Sequence, residues 1–475
     1  MSFLLEQGLN LSQLKTFKRY DQTMDTNISI SIEKRKNELP ALSDHTFLRY
    51  FNFIALYLAQ GIPEGMLYFG LPAWMAVNGK SPGEIGAFVA VVTTPWTFKV
   101  LIAPLMDRFT YLPMGKRRPW VLTGQLGLMV FFVLMSIVPD PLNNMTLFTL
   151  AAFMVSFSGA LQDVSTDGMA IDIIPIEQQA RANGFMWGSK TIGISASLYI
   201  GSHLINSFGY HTAILSLACA VCIIMIVPAT LKERPGEKIL PWTKGIASSV
   251  NLLAKVNSWS EIGKSLLRVM KLRNSLLMIF PLFFATTGFG LMNTLLPIFT
   301  IQQLGWTNIH YSEINATASL AGGIGGMMIC GILLDKFGKV KMLSFFLVLL
   351  MLLPLSIILL KNYWNTPEFM NIYISTYNFL YVFSTIGMFA VAMKLCWKKV
   401  SATQFTLFMV AANLGLIAGP AIIGFLKNKF SWDYIFLTFS LMMIITLILV
   451  QFLRTDDQLH AISLMEEQEQ NIVHV

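Results

Sequence analysis

Gly331-Ile332-Leu333-Leu334-Asp335-Lys336-Phe337-Gly338-Lys339-Val340-Lys341 joins the end of one long apolar run to the start of the next. The same kind of turn occurs earlier as Asp107-Arg108 and then Gly115-Lys116-Arg117-Arg118, with Phe109 to Met114 inserted between the two parts. The aspartates are 228 residues apart (335 − 107), close to half of the 475-residue chain. A charged turn repeated after the second apolar run of each half is what two copies of one six-helix membrane bundle leave behind. Duplicated bundles of this kind move small molecules.

Composition agrees. Apolar residues make up 54% of the chain and charged ones 13%, whereas a soluble domain carries about a quarter charged. The charges are segregated, leaving runs that match the ~20 helical residues needed to cross a hydrocarbon core. No alternating pattern of short strands suggests an outer-membrane barrel. The reading is an all-α polytopic protein with spans near 47–70, 84–106, 119–138, 146–171, 182–205, 211–231, 275–299, 312–334, 340–360, 369–392, 402–426 and 432–453. These form bundles over 47–231 and 274–454, with tails at 1–46 and 455–475 and a connection at 232–273.

Charge sets the expected orientation. Of 34 Lys and Arg, 28 fall on one side, four (Lys80, Lys361, Lys427, Lys429) fall on the other, and Lys99 and Lys190 lie within spans. The positive-inside rule therefore puts both termini in the cytoplasm. The formal charge of +8 orients helices, and no nucleic-acid partner is expected. Residues 1–46 lack the early apolar run of a signal peptide. Leu252, Val256, Trp259, Ile262, Leu266 and Val269 recur at three and four residues in the central connection, which predicts an amphipathic helix on the inner membrane surface.

Ionisable residues deep in spans are costly and pair or line a wet cavity. They are Glu64, Lys99, Asp163, Asp167 and Lys190, all in the first half. The second half offers polar groups: Asn293, Asn378, Gln404 and Asn413. At 1.5 Å per residue, Lys99 and Lys190 each lie about 12 Å in from the charged-turn side. Asp163 and Asp167, four apart, share a helix face that descends to the same level. Two acids and two bases are thus expected to meet, either as a fixed salt-bridge set or as a proton or anion site. Gly61, Pro63 and Gly65 predict an interruption of the first span around Glu64. Gly322-Gly323-Ile324-Gly325-Gly326 predicts close helix contact. The four cysteines read as packing residues. The six histidines lie in tails or at span ends, and no His-Asp, Ser-His or metal-ligand cluster is legible, so neither enzyme chemistry nor a cofactor or metal is expected.

Several stretches resemble a known group. The uninterrupted second turn is similar to the loop signature of the major facilitator superfamily. Tyr57-Leu58-Ala59-Gln60-Gly61-Ile62-Pro63-Glu64-Gly65 resembles the acetyl-CoA transporters, and Trp96-Thr97-Phe98-Lys99 with Ala103-Pro104-Leu105-Met106-Asp107-Arg108 resembles both those and the AmpG-type muropeptide permeases. Gln162-Asp163-Val164-Ser165-Thr166-Asp167 with Asp172, and Ala402-Thr403-Gln404-Phe405 with Gly419-Pro420, resemble the permeases. Two departures stand out: Met169-Ala170-Ile171 and Leu416 occur where that group often has a base.

The resemblance implies two six-helix bundles of the major facilitator fold rocking about a central site. It implies a monomeric, proton-coupled importer in a bacterial inner membrane, taking a small polar solute such as a cell-wall sugar-peptide fragment. Asp163, Asp167, Lys190, Lys99 and Glu64 are then coupling or substrate residues, and Gln60, Tyr68, Trp187, Asn293, Asn378 and Gln404 cavity residues. Asp107, Arg108, Arg117, Arg118, Asp172, Arg181, Asp335 and Lys336 form the gate, with Arg117 or Arg118 on Asp172 when the cavity faces outward. An acetyl-CoA-like exchanger and a channel are the alternatives.

Overall fold

The computed structural model describes residues 40–248, 251, 259–397 and 401–473, at some helical positions by backbone alone. Among them the chain is helical apart from turns and one isolated bridge, Ala41 to Lys232. Ten stretches are long and apolar enough to cross a membrane. One of these, Phe185–Thr230, holds two crossings, because the backbone reverses at Gly209 (φ 83°), a conformation a residue without Cβ adopts freely. The helix from Thr46 precedes them all. Ten, one of them doubled, plus this first helix make twelve crossings in two sets of six.

The first span runs through Thr46–Gly65, a wide turn at Met66–Gly70 and Leu71–Val77. The second comprises Pro82–Thr93, a tight turn at Thr94–Phe98, and Lys99–Arg108. Its start is fixed by Ser81, whose hydroxyl accepts from the Glu84 amide while the Glu84 carboxylate accepts from the Ser81 amide. Arg118–Ser136, Met145–Ile173 and the two limbs of Ile176–Thr230 complete the first six. The second six are Arg273–Ile298 extended by Phe299–Gln303, then 308–337, Lys339–Leu359, Pro367–Lys394, Ser401–Lys429 and Trp432–Gln451.

Packing repeats between the halves. The first span lies on the fifth as the seventh lies on the eleventh, and the third touches the fourth and sixth as the ninth touches the tenth and twelfth. Within lipid, such contacts are built by small residues that let backbones approach. A Cβ on Gly61 would stand 2.7 Å from the Ile194 nitrogen, and one on Gly415 2.9 Å from the Thr287 nitrogen. This revises the expectation for the first span. Its helix continues past Pro63 and loosens only at Met66, and the glycines beside Glu64 serve close approach.

Between the halves the second span packs on the eleventh and the fifth on the eighth. A Cβ on Gly323 would lie 2.6 Å from Cγ2 of Thr191, which accounts for the glycine-rich eighth span. On the face away from the charged turns, Gln302 Nε2 donates to the Lys80 carbonyl (2.7 Å), the hydroxyls of Ser202 and Ser312 meet at 2.7 Å, and His203 Nε2 lies 2.9 Å from Glu313 Oε1. At mid-depth Asn413 Nδ2 donates to the Trp96 carbonyl (2.9 Å).

Two peripheral segments pack on the second bundle. The described part of the central connection contains the helix Trp259–Met270; Leu252, Val256 and Lys255 lie outside the described residues. Its Val269 packs in a buried cluster with Trp397 and Ile462, so the helix docks on the second bundle. The C-terminal segment, expected as a tail, is the helix Thr455–Val473. Asp456 and Asp457 suit its N-terminus, and buried Gln458 donates to Ser275 Oγ (2.8 Å) and the Leu395 carbonyl (3.1 Å).

Candidate functional site: a charged core in the first bundle

The first span carries Tyr57, Gln60 and Glu64 at helical spacing, hence on one face, and the fourth span presents Asp163 and Asp167 to it. The Asp163 carboxylate accepts from both Lys99 Nζ and Gln60 Nε2. Asp167 accepts from the Tyr57 hydroxyl. Glu64 Oε1 is paired with Lys190 Nζ at 2.8 Å. The five deep ionisable residues therefore converge as two ion pairs and a fifth group, Asp167, whose hydrogen-bond partner is a phenol.

These groups are nearly withdrawn from solvent: side-chain exposure is 16% for Lys99, 6% for Asp163, 11% for Lys190 and 13% for Glu64. The ammoniums also face tryptophan rings. Lys99 Nζ lies 4.5 Å from the Trp96 centroid, and Lys190 Nζ is 5.1 Å from Trp96 and 5.0 Å from Trp187. Such cation–π contacts contribute about 0.5–2 kcal/mol each. Trp96 is held by its Nε1 on Ser156 Oγ (3.2 Å). Tyr68, one turn beyond Glu64, is partly buried on the same face.

The second bundle meets this core with neutral groups. Asn293 Oδ1 accepts from Tyr377 (2.8 Å), and Tyr381 stacks beside Tyr377 (ring centroids 6.0 Å) within electrostatic reach of Glu64. Asn378 is buried and occupied, donating to Asn315 Oδ1 (3.1 Å) and accepting from Ser319 (2.9 Å). Gln404 is wholly buried at the charged-turn end, accepting from the Trp397 amide (2.9 Å) and donating to Ser275 Oγ and the Leu395 carbonyl (both 3.2 Å). That position makes Gln404 a brace between helix ends. Gln60 is equally buried but sits in the charged core, and Trp187 is half-exposed beside it.

At the charged turns, Arg117 Nε is 3.2 Å and Lys116 Nζ 3.4 Å from Asp172 Oδ2. Arg118 plays another part. It is buried, and its guanidinium donates to the carbonyls of Pro228, Ala229, Lys238 and Ile239 at 2.6–3.1 Å. It thus ties the end of the sixth span to the third and is absent from the mouth. Lys336 is exposed, its ammonium 5.4 Å from the Phe337 ring. The side chains of Asp107, Arg108, Arg181 and Asp335 lie outside the described residues.

The sequence reading missed Glu233. Fully buried, its Oε2 accepts from the amides of Arg117 (3.0 Å) and Arg118 (3.1 Å), capping the third span from a distant segment. Burial pushes its carboxyl pKa up, and burial beside Glu233 pushes that of Glu237 up to about 8. In sequence, Lys232-Glu233-Arg234-Pro235 carries only the signal of a helix stop. Tyr57, Trp96 and Tyr381 were also missed as partners of the charges, since a lone aromatic in an apolar span carries no distinguishing signal.

Residues 53–420 match the model of the Major Facilitator Superfamily. The chain belongs to that superfamily. The anhydromuropeptide permease of Escherichia coli K12 is 24% identical over 389 residues, covering 81% of this chain and 75% of that one. A Rickettsia conorii protein bearing the name transporter AmpG 4 is 24% identical over 417 residues, covering 86% and 97%. Among solved structures, the nucleoside transporter NupG superposes with a TM-score of 0.63 at 13% identity, covering 85% of this chain and 99% of that one, a likeness of fold. The chain is thus an integral membrane transporter of that superfamily, built as two six-helix bundles and similar to AmpG-like permeases.

Proposed function

We propose that this transporter is a proton-coupled importer of a cell-wall muropeptide fragment, working as a monomer by alternating access. The observation that carries the coupling is the odd carboxylate. Lys99 and Lys190 are taken by Asp163 and Glu64, so Asp167 beside Tyr57 is the acid left to bind and release a proton. A part-buried acid whose direct partner is a phenol and not a cation is costly when ionised, so a proton there can be linked to movement of the bundles. The muropeptide reading draws on the likeness to the anhydromuropeptide permease across 81% of the chain.

On this reading the charged turns mark the cytoplasmic face of a bacterial inner membrane, with both termini inside. The interbundle bonds on the opposite face and at mid-depth then belong to a state closed outside and facing inward. Arg117 and Asp172, both in the first bundle, set the shape of the cytoplasmic mouth that Asp107, Arg108, Arg181, Asp335 and Lys336 latch in the opposite state. An acetyl-CoA-like exchanger fits the core less well, because both deep ammoniums are already paired and phosphates require unspent positive charge.

The test is uptake of labelled anhydro-disaccharide peptide into energised membrane vesicles, with and without a protonophore. Saturable accumulation that the protonophore collapses supports the proposal. Uptake indifferent to it, or ionic currents without saturation, would replace it with an uncoupled carrier or a channel.

A further inference from the structure

Two ion pairs sit in the core, and their surroundings differ. The Asp163–Lys99 pair joins two elements of the first bundle, its carboxylate also held by Gln60. The Glu64–Lys190 pair stands where the bundles meet. Lys190 lies between Trp96 and half-exposed Trp187, Thr191 beside it packs on Gly323 of the eighth span, and Glu64 is in electrostatic reach of Tyr381 on the tenth. This is the pair that a ligand between the bundles would meet.

Electrostatics limits what can open it. A ligand bearing one charge would take one partner and deprive the other of its direct counter-ion in a site of low polarity, and breaking a buried pair is strongly unfavourable. A neutral ligand gives no reason for the pair to open. A ligand carrying both an ammonium and a carboxylate replaces one pair by two, with no change in total charge. The rings of Trp96 and Trp187 would hold the Lys190 ammonium in place during the exchange, and the Tyr377–Asn293 pair and Tyr381 offer hydrogen bonds to an uncharged body.

We propose that Glu64 and Lys190 form a zwitterion clamp: Lys190 takes the carboxylate and Glu64 the ammonium of an amino-acid-like head group on the transported solute. The clamp rests on the reading of the protein as a carrier of sugar-peptide fragments and specifies which chemical end of the cargo is recognised. It predicts discrimination against solutes that carry a single unbalanced charge, phosphate esters among them.

The experiment measures equilibrium binding to the purified full-length protein, without a gradient. The probes are a disaccharide–peptide with one free amine and one free carboxylate, its N-acetyl form, its carboxamide, and the doubly blocked form. Either single block weakens binding roughly 30-fold or more, as one uncompensated charge requires. The doubly blocked probe loses less than the product of the single losses, because the protein pair then stays closed. Glu64→Gln reverses the ranking in favour of the N-acetyl probe, and Lys190→Gln in favour of the carboxamide.

Equal binding of all four probes to the unaltered protein overturns the clamp, as does one ranking shared by both variants. If a variant fails to fold, the wild-type ranking decides alone. The expected ranking without protonophore-sensitive uptake would sink the proton coupling and leave the clamp standing. Coupled uptake with a flat ranking would do the reverse, and no binding by any probe overturns both.

Discussion

The two bundles share a packing plan and divide the chemistry. In the first, five ionisable side chains converge at mid-membrane on four helices, stacked on tryptophan and bonded to Tyr57 and Gln60. In the second, the described acidic and basic groups of the spans stay within about two turns of the helix ends, and its interior polar groups are amides and hydroxyls, several of them bonded to one another. Duplication supplied the scaffold twice, while charge was concentrated in one copy. On the proposed function, a proton or a charged head group would act on the first bundle, against neutral groups of the second.

The largest expected effect comes from unpairing the charged half. Asp163→Asn leaves Lys99 without its counter-ion, and breaking a buried pair costs about 3–5 kcal/mol. Folded yield and melting temperature in detergent should fall sharply. The double variant Lys99→Met with Asp163→Asn should recover most of the loss. Equal losses for the single and double variants would deny that the pair is what matters.

In the neutral half the same exercise gives less. Asn378→Ala strips Asn315 and Ser319 of a partner, with an expected loss of about 1–3 kcal/mol and retained uptake. Loss of transport at full stability would instead place Asn378 against the substrate and blur the division between the bundles.

The smallest effect is a slope. Glu237, in the segment after the first bundle, titrates at about 8 in the folded protein, against about 4.3 when unfolded. Its raised value means that the unfolded chain binds fewer protons between those limits, so stability falls as pH rises through that window. Melting temperature followed from about pH 5 to about pH 9 should decline less steeply in Glu237→Gln. An unchanged slope would show that Glu237 is ionised throughout.

How much of this was legible beforehand depends on the kind of signal. Span order and the two-bundle plan followed from hydropathy and the repeated turn, because lipid enforces long apolar helices. Convergence of Lys99, Asp163, Asp167 and Lys190 followed from rise per residue and the cost of burying charge, and that of Glu64 with Lys190 did not. Which acid takes which base did not, since rise alone carries no azimuth between helices. The split between Arg117 and Arg118 is similarly tertiary: adjacent bases point to opposite sides of a helix start, one to Asp172 and the other to a ring of carbonyls. Gln404 and Asn378 looked like cavity residues because polarity in a span signals need for a partner, and that partner turned out to be protein. The helix Thr455–Val473 went unread because its polar composition lacks an apolar stripe.

The most direct measurement compares two modes of transport in Asp167→Asn proteoliposomes: accumulation driven by a proton gradient, and exchange of labelled for unlabelled solute at equilibrium. If Asp167 carries the proton, accumulation vanishes while exchange persists, because solute binding and bundle movement remain. Undiminished, protonophore-sensitive accumulation in this variant would contradict the account at its centre.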